Sequence, residues 1–143
     1  MPAGLERFVE AQRAVWPQAL AELRAGRKHS HWMWFVFPQI AGLGRSDTAR
    51  FYAIEGRAEA QAYLAHPLLG PRLAEASDAL LAHAGKASVE AILGSVDAVK
   101  LRSSMTLFEA VGEGDARERF AAVLEGFFGG GRDTETLQRL ASP

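Results

Sequence analysis

Cysteine is absent from the 143 residues of the sequence. This absence excludes disulfide bonds, thiolate metal sites and a cysteine nucleophile, and it favours a cytoplasmic location. An excess of charge is missing too, because 16 basic and 17 acidic residues leave a net charge of -1. Without a strongly basic face, nucleic acid and anionic membranes are not expected partners, and any anion site has to be local.

Long apolar runs and familiar catalytic motifs are also lacking. The N-terminal stretch MPAGLERFVEAQR alternates apolar with charged residues, unlike a signal peptide, and no segment reaches the length of a membrane span. There is no HExxH, no cluster of carboxylates with metal-ligand spacing, no Walker loop and no GxSxG motif. We therefore expect neither a metal site nor a cofactor, and no feature of the sequence indicates an oligomeric state.

What the sequence does contain is a hydrophobic pattern with helical spacing. A chain of this length with 48% hydrophobic residues fits one domain with one core. Apolar residues recur at three- and four-residue intervals through most of the chain, and no stretch provides a convincing β-strand. The sequence predicts an all-α fold, a single compact irregular bundle of about seven or eight short helices spanning residues 1–143.

Prolines mark two expected breaks between helices. Pro17 predicts a first helix that ends near Val15 and a second helix that starts at the proline. The basic residues 27–29 follow this second helix and are interpreted as its solvated end, where the helix dipole favours cations. Further along, the residue before a proline is pushed away from helical geometry, which places a corner between two helices at His66.

The helix after this corner has a clear core face. Its apolar stripe consists of Leu69, Leu73, Ala76 and Leu80. Ser88 is the expected cap of a short helix. Asp115 and Glu118 form the pattern of a capping box for a later helix, whose apolar stripe is the strongest in the chain. A last helix is expected to start at Asp133 or Thr134.

The helix expected over residues 95–111 carries a lysine on its apolar side. With successive residues about 100° apart, Lys100 falls in the same arc as Val96 and other apolar side chains. A lysine in that arc is costly unless it is paired or lines a cavity. Asp97, three residues earlier, and Ser104, four residues later, are the neighbours able to satisfy it.

This lysine has two interpretations. In the first, Asp97 near the helix start forms a structural ion pair with Lys100. In the second, Lys100 binds a phosphate or carboxylate group of a ligand, and the hydroxyl groups of Ser103 and Ser104 add donors. The sequence leaves both interpretations open.

The stretch HWMWFVFPQIAGLGRS, residues 31–46, is the second candidate region. It places large aromatic side chains beside polar ones. His31 is a candidate general acid or base, and Trp34 offers a flat face for stacking. After Pro38, the side chains that could form an anion-binding concavity with glycine-permitted backbone amides are Gln39, Arg45 and Ser46. The alternative is that the aromatic residues are core and the loop is an ordinary tight connection.

Five segments carry a family resemblance and together span nearly the whole chain. They are LERFVEAQ from Leu5, ALAELRAGRKHSHWMWFVFPQIAGLGRS from Ala19, FYAIEGRAEAQAYLAHPLLGPRL from Phe51, DAVKLRSSMTLF from Asp97 and FFGGGRDTETLQRL from Phe127. On these segments the chain resembles the bacterial domain-of-unknown-function family 1810, sometimes labelled calpastatin. The resemblance implies a small, mainly α-helical domain and supplies no catalytic residues. Calpain-inhibitory segments are disordered and repetitive, so the calpastatin label conflicts with this core-rich, unrepeated chain.

Two classes of function follow from these observations. The first is a binding protein or enzyme for a small anionic ligand, including nucleotide-like ligands, with a pocket between residues 31–46 and the helix that bears Lys100. The candidate ligand-binding residues are His31, Trp34, Gln39, Arg45, Ser46, Lys100, Ser103 and Ser104, supported by Asp97. The second is a helical interaction module without catalysis, which an exposed apolar patch, for instance on the helix of residues 120–128, would indicate.

Overall fold

The computed structural model describes residues 4–141, and regular secondary structure in this range is helical apart from one isolated bridge. The helices are α1 (Glu6–Ala25), α2 (Met33–Val36), α3 (Asp47–Phe51), α4 (Arg57–Ala65), α5 (Leu69–Leu81), α6 (Val89–Leu93), α7 (Ser95–Val111), α8 (Gly114–Phe128) and α9 (Thr134–Ala141). The predicted all-α fold is confirmed. The nine helices of the described range exceed the predicted seven or eight, and α3 lies where a loop was expected.

The first helix runs through Pro17 without interruption, so the predicted break after Val15 is wrong. Buried side chains lie on both sides of the proline, with Phe8 and Gln12 before it and Leu23 after it. An internal proline costs a helix roughly 3 kcal/mol. Both halves of the helix pack against the same core, and this packing offsets the cost. Local residue preferences do not include such packing, so the sequence pattern predicted a break.

Residues 32–40 form the aromatic part of the core. The fully or nearly fully buried side chains here are Trp32, Met33, Phe35, Val36, Phe37 and Ile40. Within this stretch, Met33–Val36 form the short helix α2. A parallel bridge then joins Ile40 to Ile54, with the Ile54 amide donating to the Gln39 carbonyl at 2.8 Å and the Ala41 amide to the Ile54 carbonyl at 2.8 Å.

A helix that the sequence pattern does not predict, α3, follows the glycine loop. Ser46 is its N-cap, and the Ser46 hydroxyl oxygen accepts a hydrogen bond from the Ala49 amide at 3.1 Å. Serine is among the preferred residues for this position, because its side chain satisfies an otherwise unpaired amide. The hydroxyl group of Ser46 is therefore engaged within its own helix.

The elements from α4 to α6 agree with the sequence pattern. His66 leaves the helical region, with φ -66° and ψ 132°, and separates α4 from α5. Its Nδ1 accepts hydrogen bonds from the amides of Leu68 and Leu69. The predicted stripe of α5 is buried, and the Ser88 side chain caps α6 as expected by accepting from the Ala91 amide.

Helix α7 has the most extensive packing against other helices of the core. It packs against α8 and also touches α4, α6 and α9, while α5 contacts α1, α2, α4 and α8. Leu101, Leu107 and Phe108 of α7 are fully buried. Val96 is 71% exposed, so its predicted place in the core is wrong. The helical wheel gives the direction of a side chain but not how far the neighbouring helices extend along the axis.

The start of α8 also differs from the prediction. The helix begins at Gly114 after the N-cap Glu113, without a side-chain cap hydrogen bond, so Asp115 lies inside the first turn and the predicted capping box is not formed. The next helix, α9, begins at Thr134 as expected. Within residues 4–141, no helix combines the length and apolar character needed to cross a membrane.

Candidate functional site

Two of the three lysines in the sequence converge on one carboxylate. Lys100 Nζ lies 3.2 Å from Asp97 Oδ1, and Lys28 Nζ lies 2.9 Å from Asp97 Oδ2. All three side chains are largely buried. The interpretation of residues 27–29 as a solvated helix end is therefore wrong for Lys28, since its partner lies 69 positions away and leaves no local trace in the sequence.

Each of these lysines also lies over a tryptophan ring. Lys100 Nζ is 4.5 Å from the centre of the Trp34 ring, and Lys28 Nζ is 5.1 Å from the centre of the Trp32 ring. An ammonium group over an indole face is attracted by the negative potential of the ring. The Trp34 face that was a candidate for stacking a ligand base is occupied by the Lys100 ammonium group.

A shallow cavity of about 430 Å³ opens beside Lys100, between the first turns of α7 and the loop after Pro38. We refer to it as the Lys100 groove, and its lining residues are Gln39, Leu43, Gly44, Ser95, Val96, Val99 and Lys100. The two chain segments singled out by the sequence thus meet in space. Their meeting brings together Lys100, Gln39 and Trp34 among the predicted residues, and Asp97 pairs with Lys100.

The polypeptide leading into this region is held by the buried carboxylate of Glu22. Its oxygens accept hydrogen bonds from the His29 amide at 2.9 Å, the Ser30 amide and hydroxyl at 3.1 and 2.7 Å, the Trp32 indole at 2.9 Å and the Gln18 amide group at 2.8 Å. Burial alone would raise the pKa of Glu22, but these donors outweigh burial and hold the pKa far below its usual value.

Glu22 therefore positions the lysine side of the site. The Lys28 amide adds a further tie by donating to the Ile92 carbonyl at 2.8 Å. Together these bonds fix the backbone on either side of Lys28 and orient the Trp32 ring beneath it. No sequence motif marks Glu22, because its partners are two backbone amides and three side chains of different types.

Several predicted site residues lie elsewhere. His31 and Arg45 are exposed, and neither lines the Lys100 groove. Ser46 caps α3, as described above. Ser103 donates to Asp133 Oδ2 at 2.9 Å and so supports the start of α9. The structure does not bring these four side chains to Lys100, because each faces solvent or an acceptor outside the groove.

Ser104 has a different environment. It is completely buried, and within residues 4–141 its hydroxyl group has no hydrogen-bond partner. It does not line the Lys100 groove. A buried hydroxyl without a partner carries a desolvation cost. Neither predicted role of Ser104, as a partner of Lys100 or as a donor to a ligand in the groove, provides that partner.

Charged groups of both signs lie around the groove. Lys28 and Lys100 carry two positive charges, and the carboxylate between them carries one negative charge. The positive end of the α7 dipole lies at the same place, because the helix begins at Ser95 and its N-cap residue Gly94 has no side chain to cap it. The Glu22 carboxylate, bonded to the Trp32 indole beneath Lys28, is a further negative charge behind this cluster. Among the described residues that line the groove itself, Lys100 is the one charged side chain.

The residues described also limit metal chemistry. Between residues 4 and 141, no group of three or more His, Asp or Glu side chains is arranged to hold a metal ion. The cationic side chain of the Lys100 groove suits anions instead.

The fold and the groove define a small all-α protein with a lysine-lined depression between two of its helical segments. The chain belongs to the family of proteins of unknown function DUF1810, whose sequence model matches residues 2–140. It is also similar to a solved structure, the conserved hypothetical protein Rv1873 from Mycobacterium tuberculosis. That similarity has 49% sequence identity, covers 100% of both chains and gives a TM-score of 0.93. No curated protein matches the chain.

Proposed function

We propose that the protein binds a small amphiphilic anion in the Lys100 groove, with the carboxylate or phosphate group at Lys100 and an aliphatic portion over the valines of α7. The observation that carries the proposal is that Lys100 is the one charged side chain among the described residues that line this open cavity. An anion placed there would pair with the Lys100 ammonium group.

The apolar wall of the groove supports an amphiphilic rather than a purely polar ligand. Val96 and Val99 are 71% and 66% exposed, and Leu43 lines the same cavity. An aliphatic group that covers these exposed side chains removes apolar surface from water, which favours binding. The position of Lys100 over Trp34 argues against a nucleotide base stacked on that ring.

The test is calorimetric titration of the full-length protein with hexanoate, using 1-hexanol and inorganic phosphate as probes that lack the charge or the chain. We expect hexanoate to bind more tightly than either probe. Lys100→Met should weaken hexanoate binding by about tenfold, since a hydrogen bond to a charged group is lost. Lys86, the remaining lysine, is exposed and outside the groove, so Lys86→Met should leave binding unchanged.

A second variant tests the charge argument in the opposite direction. Asp97→Asn removes the carboxylate that both lysines share and should raise hexanoate affinity by roughly threefold, because the local potential becomes more positive. If Lys100→Met sharply lowers the melting temperature while hexanoate binding stays as in the wild type, the Asp97–Lys100 pair is structural only and the proposal fails.

An interaction module remains the second candidate, and the exposed valines of α7 favour it. The face expected from the sequence is largely covered, because Phe120, Val123 and Leu124 of α8 are buried and only Phe127 and Phe128 keep partial exposure. A partner covering Val96 and Val99 would make Val99→Ser disrupt self-association or complex formation without affecting hexanoate. Loss of hexanoate binding in Val99→Ser, with a monomer in both proteins, would favour the ligand site.

A further inference from the structure

A second cavity, of about 930 Å³, lies around Phe51 and shares no lining residue with the Lys100 groove. We refer to it as the Phe51 groove. It is formed by the start of α1, the end of α3 and the chain that leads to α4. Its character differs from that of the Lys100 groove in both its rings and its charges.

The floor of the Phe51 groove is an aromatic corner. Phe51 is 51% exposed, and its ring stands nearly perpendicular to the Tyr52 ring, at 85° with the centres 4.8 Å apart. Tyr52 is held in place by the rings of Phe35 at 5.3 Å and Phe8 at 5.9 Å. The two rings are in direct edge-to-face contact, and the exposed part of the Phe51 ring offers aromatic surface to a group in the cavity.

Arg7 holds the backbone that presents this corner. Its side chain is buried, and its guanidinium donates to the carbonyls of Phe51 and Ala53, each at 2.7 Å. It also pairs with both carboxylate oxygens of Glu59, at 3.1 and 3.2 Å. The positive charge of Arg7 is therefore neutralised by Glu59, and the Phe51 ring lines the cavity.

The rim of the groove is acidic. Four carboxylates, those of Glu6, Glu10, Glu55 and Glu59, line it together with the guanidinium groups of Arg7 and Arg50. Glu59 is neutralised by Arg7, and Glu10 is paired with Arg13 at 2.5 Å. Within the described part of the chain, the Glu55 carboxylate forms no ion pair, so it is available to a ligand.

From these observations we propose that the Phe51 groove binds an alkylated ammonium ion of the choline class. A quaternary ammonium group combines positive charge with an apolar surface, and aromatic faces attract such groups electrostatically. Its methyl groups fit the corner of Phe51 and Tyr52, while the carboxylates of the rim attract its charge. Anions are disfavoured there because the rim carries more negative than positive groups.

The experiment compares choline with 3,3-dimethyl-1-butanol, its uncharged carbon analogue of nearly the same shape. Binding to the full-length protein is followed by titration calorimetry and by the shifts of aromatic side-chain resonances. We expect choline to bind about tenfold more tightly than the alcohol, since only choline gains the cation–π and carboxylate interactions. Added salt should weaken choline binding and leave that of the alcohol unchanged.

Two variants assign the binding to this groove. Phe51→Leu keeps an apolar side chain but removes the ring, and it should weaken choline binding by about tenfold. Glu55→Gln should weaken it about threefold through the lost charge. Glu90→Gln, which neutralises an exposed glutamate on α6 outside the groove, is the matched control and should have no effect.

Two results would overturn the proposal. Equal affinity for choline and the alcohol would mean that charge has no part in binding. Unchanged choline affinity in Phe51→Leu would place the binding elsewhere.

Discussion

The Lys100 groove and the Phe51 groove draw on one stretch of chain but have opposite charge. Gln39, Leu43 and Gly44 contribute to the first, and the residues from Arg50 to Glu59 contribute to the second. The bridge between Ile40 and Ile54 ties the two parts of this stretch together. A net charge of -1 therefore conceals a positive region and a negative one, and composition alone excludes only a global field.

The two grooves are also supported by opposite kinds of buried charge. Behind the Lys100 groove, the Glu22 carboxylate accepts hydrogen bonds from backbone amides and from side-chain N–H and O–H groups. The Arg7 guanidinium donates to backbone carbonyls behind the Phe51 groove. A charge bonded to the backbone fixes a loop without a secondary-structure element, which explains how short helices and loops can hold defined cavities. Changing one support should disturb one groove and spare the other.

The largest effect is expected from Glu22→Gln. The amide retains the shape of the carboxylate but loses its charge and turns an NH₂ group toward donors, so the free energy of unfolding should fall by about 3 kcal/mol. The melting temperature should drop by roughly 10 °C. Chemical denaturation and calorimetry measure both quantities.

The same variant separates the two grooves when it is studied well below its melting temperature. Hexanoate binding should weaken, because Lys28 and Trp32 lose the tie that positions them, and choline binding should remain. Gln18→Ala removes only the one partner of Glu22 that lies within α1 and serves as the milder control. Equal loss of both ligands in Glu22→Gln would show that the two grooves do not have separate supports.

The next effect is the acid dependence of stability. The pKa of Glu22 is lowered in the folded protein, so its contribution is complete above the unfolded value of about 4.3 and is lost as the pH falls below that value toward the folded pKa. The loss should reach about 1.4 kcal/mol per pH unit.

Urea unfolding of the wild type and Glu22→Gln between pH 6 and pH 3 isolates this contribution, because the remaining carboxylates titrate in both proteins. The difference in unfolding free energy should be constant above pH 5 and should shrink toward pH 3. A constant difference across the whole range would contradict the assignment of the acid sensitivity to Glu22.

The fold was largely predictable because its signals are local. The His66 corner and the Ser88 cap depend on a proline and on a hydroxyl next to a helix start, and both are confirmed. The continuous helix through Pro17 depends instead on burial on both sides of the proline. Local preference and tertiary packing conflict at that position, and packing decides.

The site was predictable only where an anomaly appeared in the sequence. Lys100 in an apolar arc indicated either a pair with Asp97 or a ligand site, and the pair is present. Lys28 gave no such signal, because a basic residue after a helix is ordinary and its partner is distant in sequence. The aromatic corner of Phe51 was missed for a related reason: its exposure follows from the bonds of Arg7 to two carbonyls, which no side-chain pattern encodes.

The smallest expected effect tests where the Lys100 groove ends. Ser104 lies on the same helix, four residues after Lys100, and within residues 4–141 its buried hydroxyl has no partner. Ser104→Ala removes this desolvated group and should raise the free energy of unfolding by up to about 1 kcal/mol. Ser77→Ala is the matched control, since the equally buried Ser77 donates to the Leu73 carbonyl at 2.8 Å, and this change should lower the free energy of unfolding.

Hexanoate affinity should be the same in Ser104→Ala and the wild type, because Ser104 does not line the groove. A weaker affinity in Ser104→Ala would mean that the ligand reaches Ser104 and forms a hydrogen bond with its hydroxyl group.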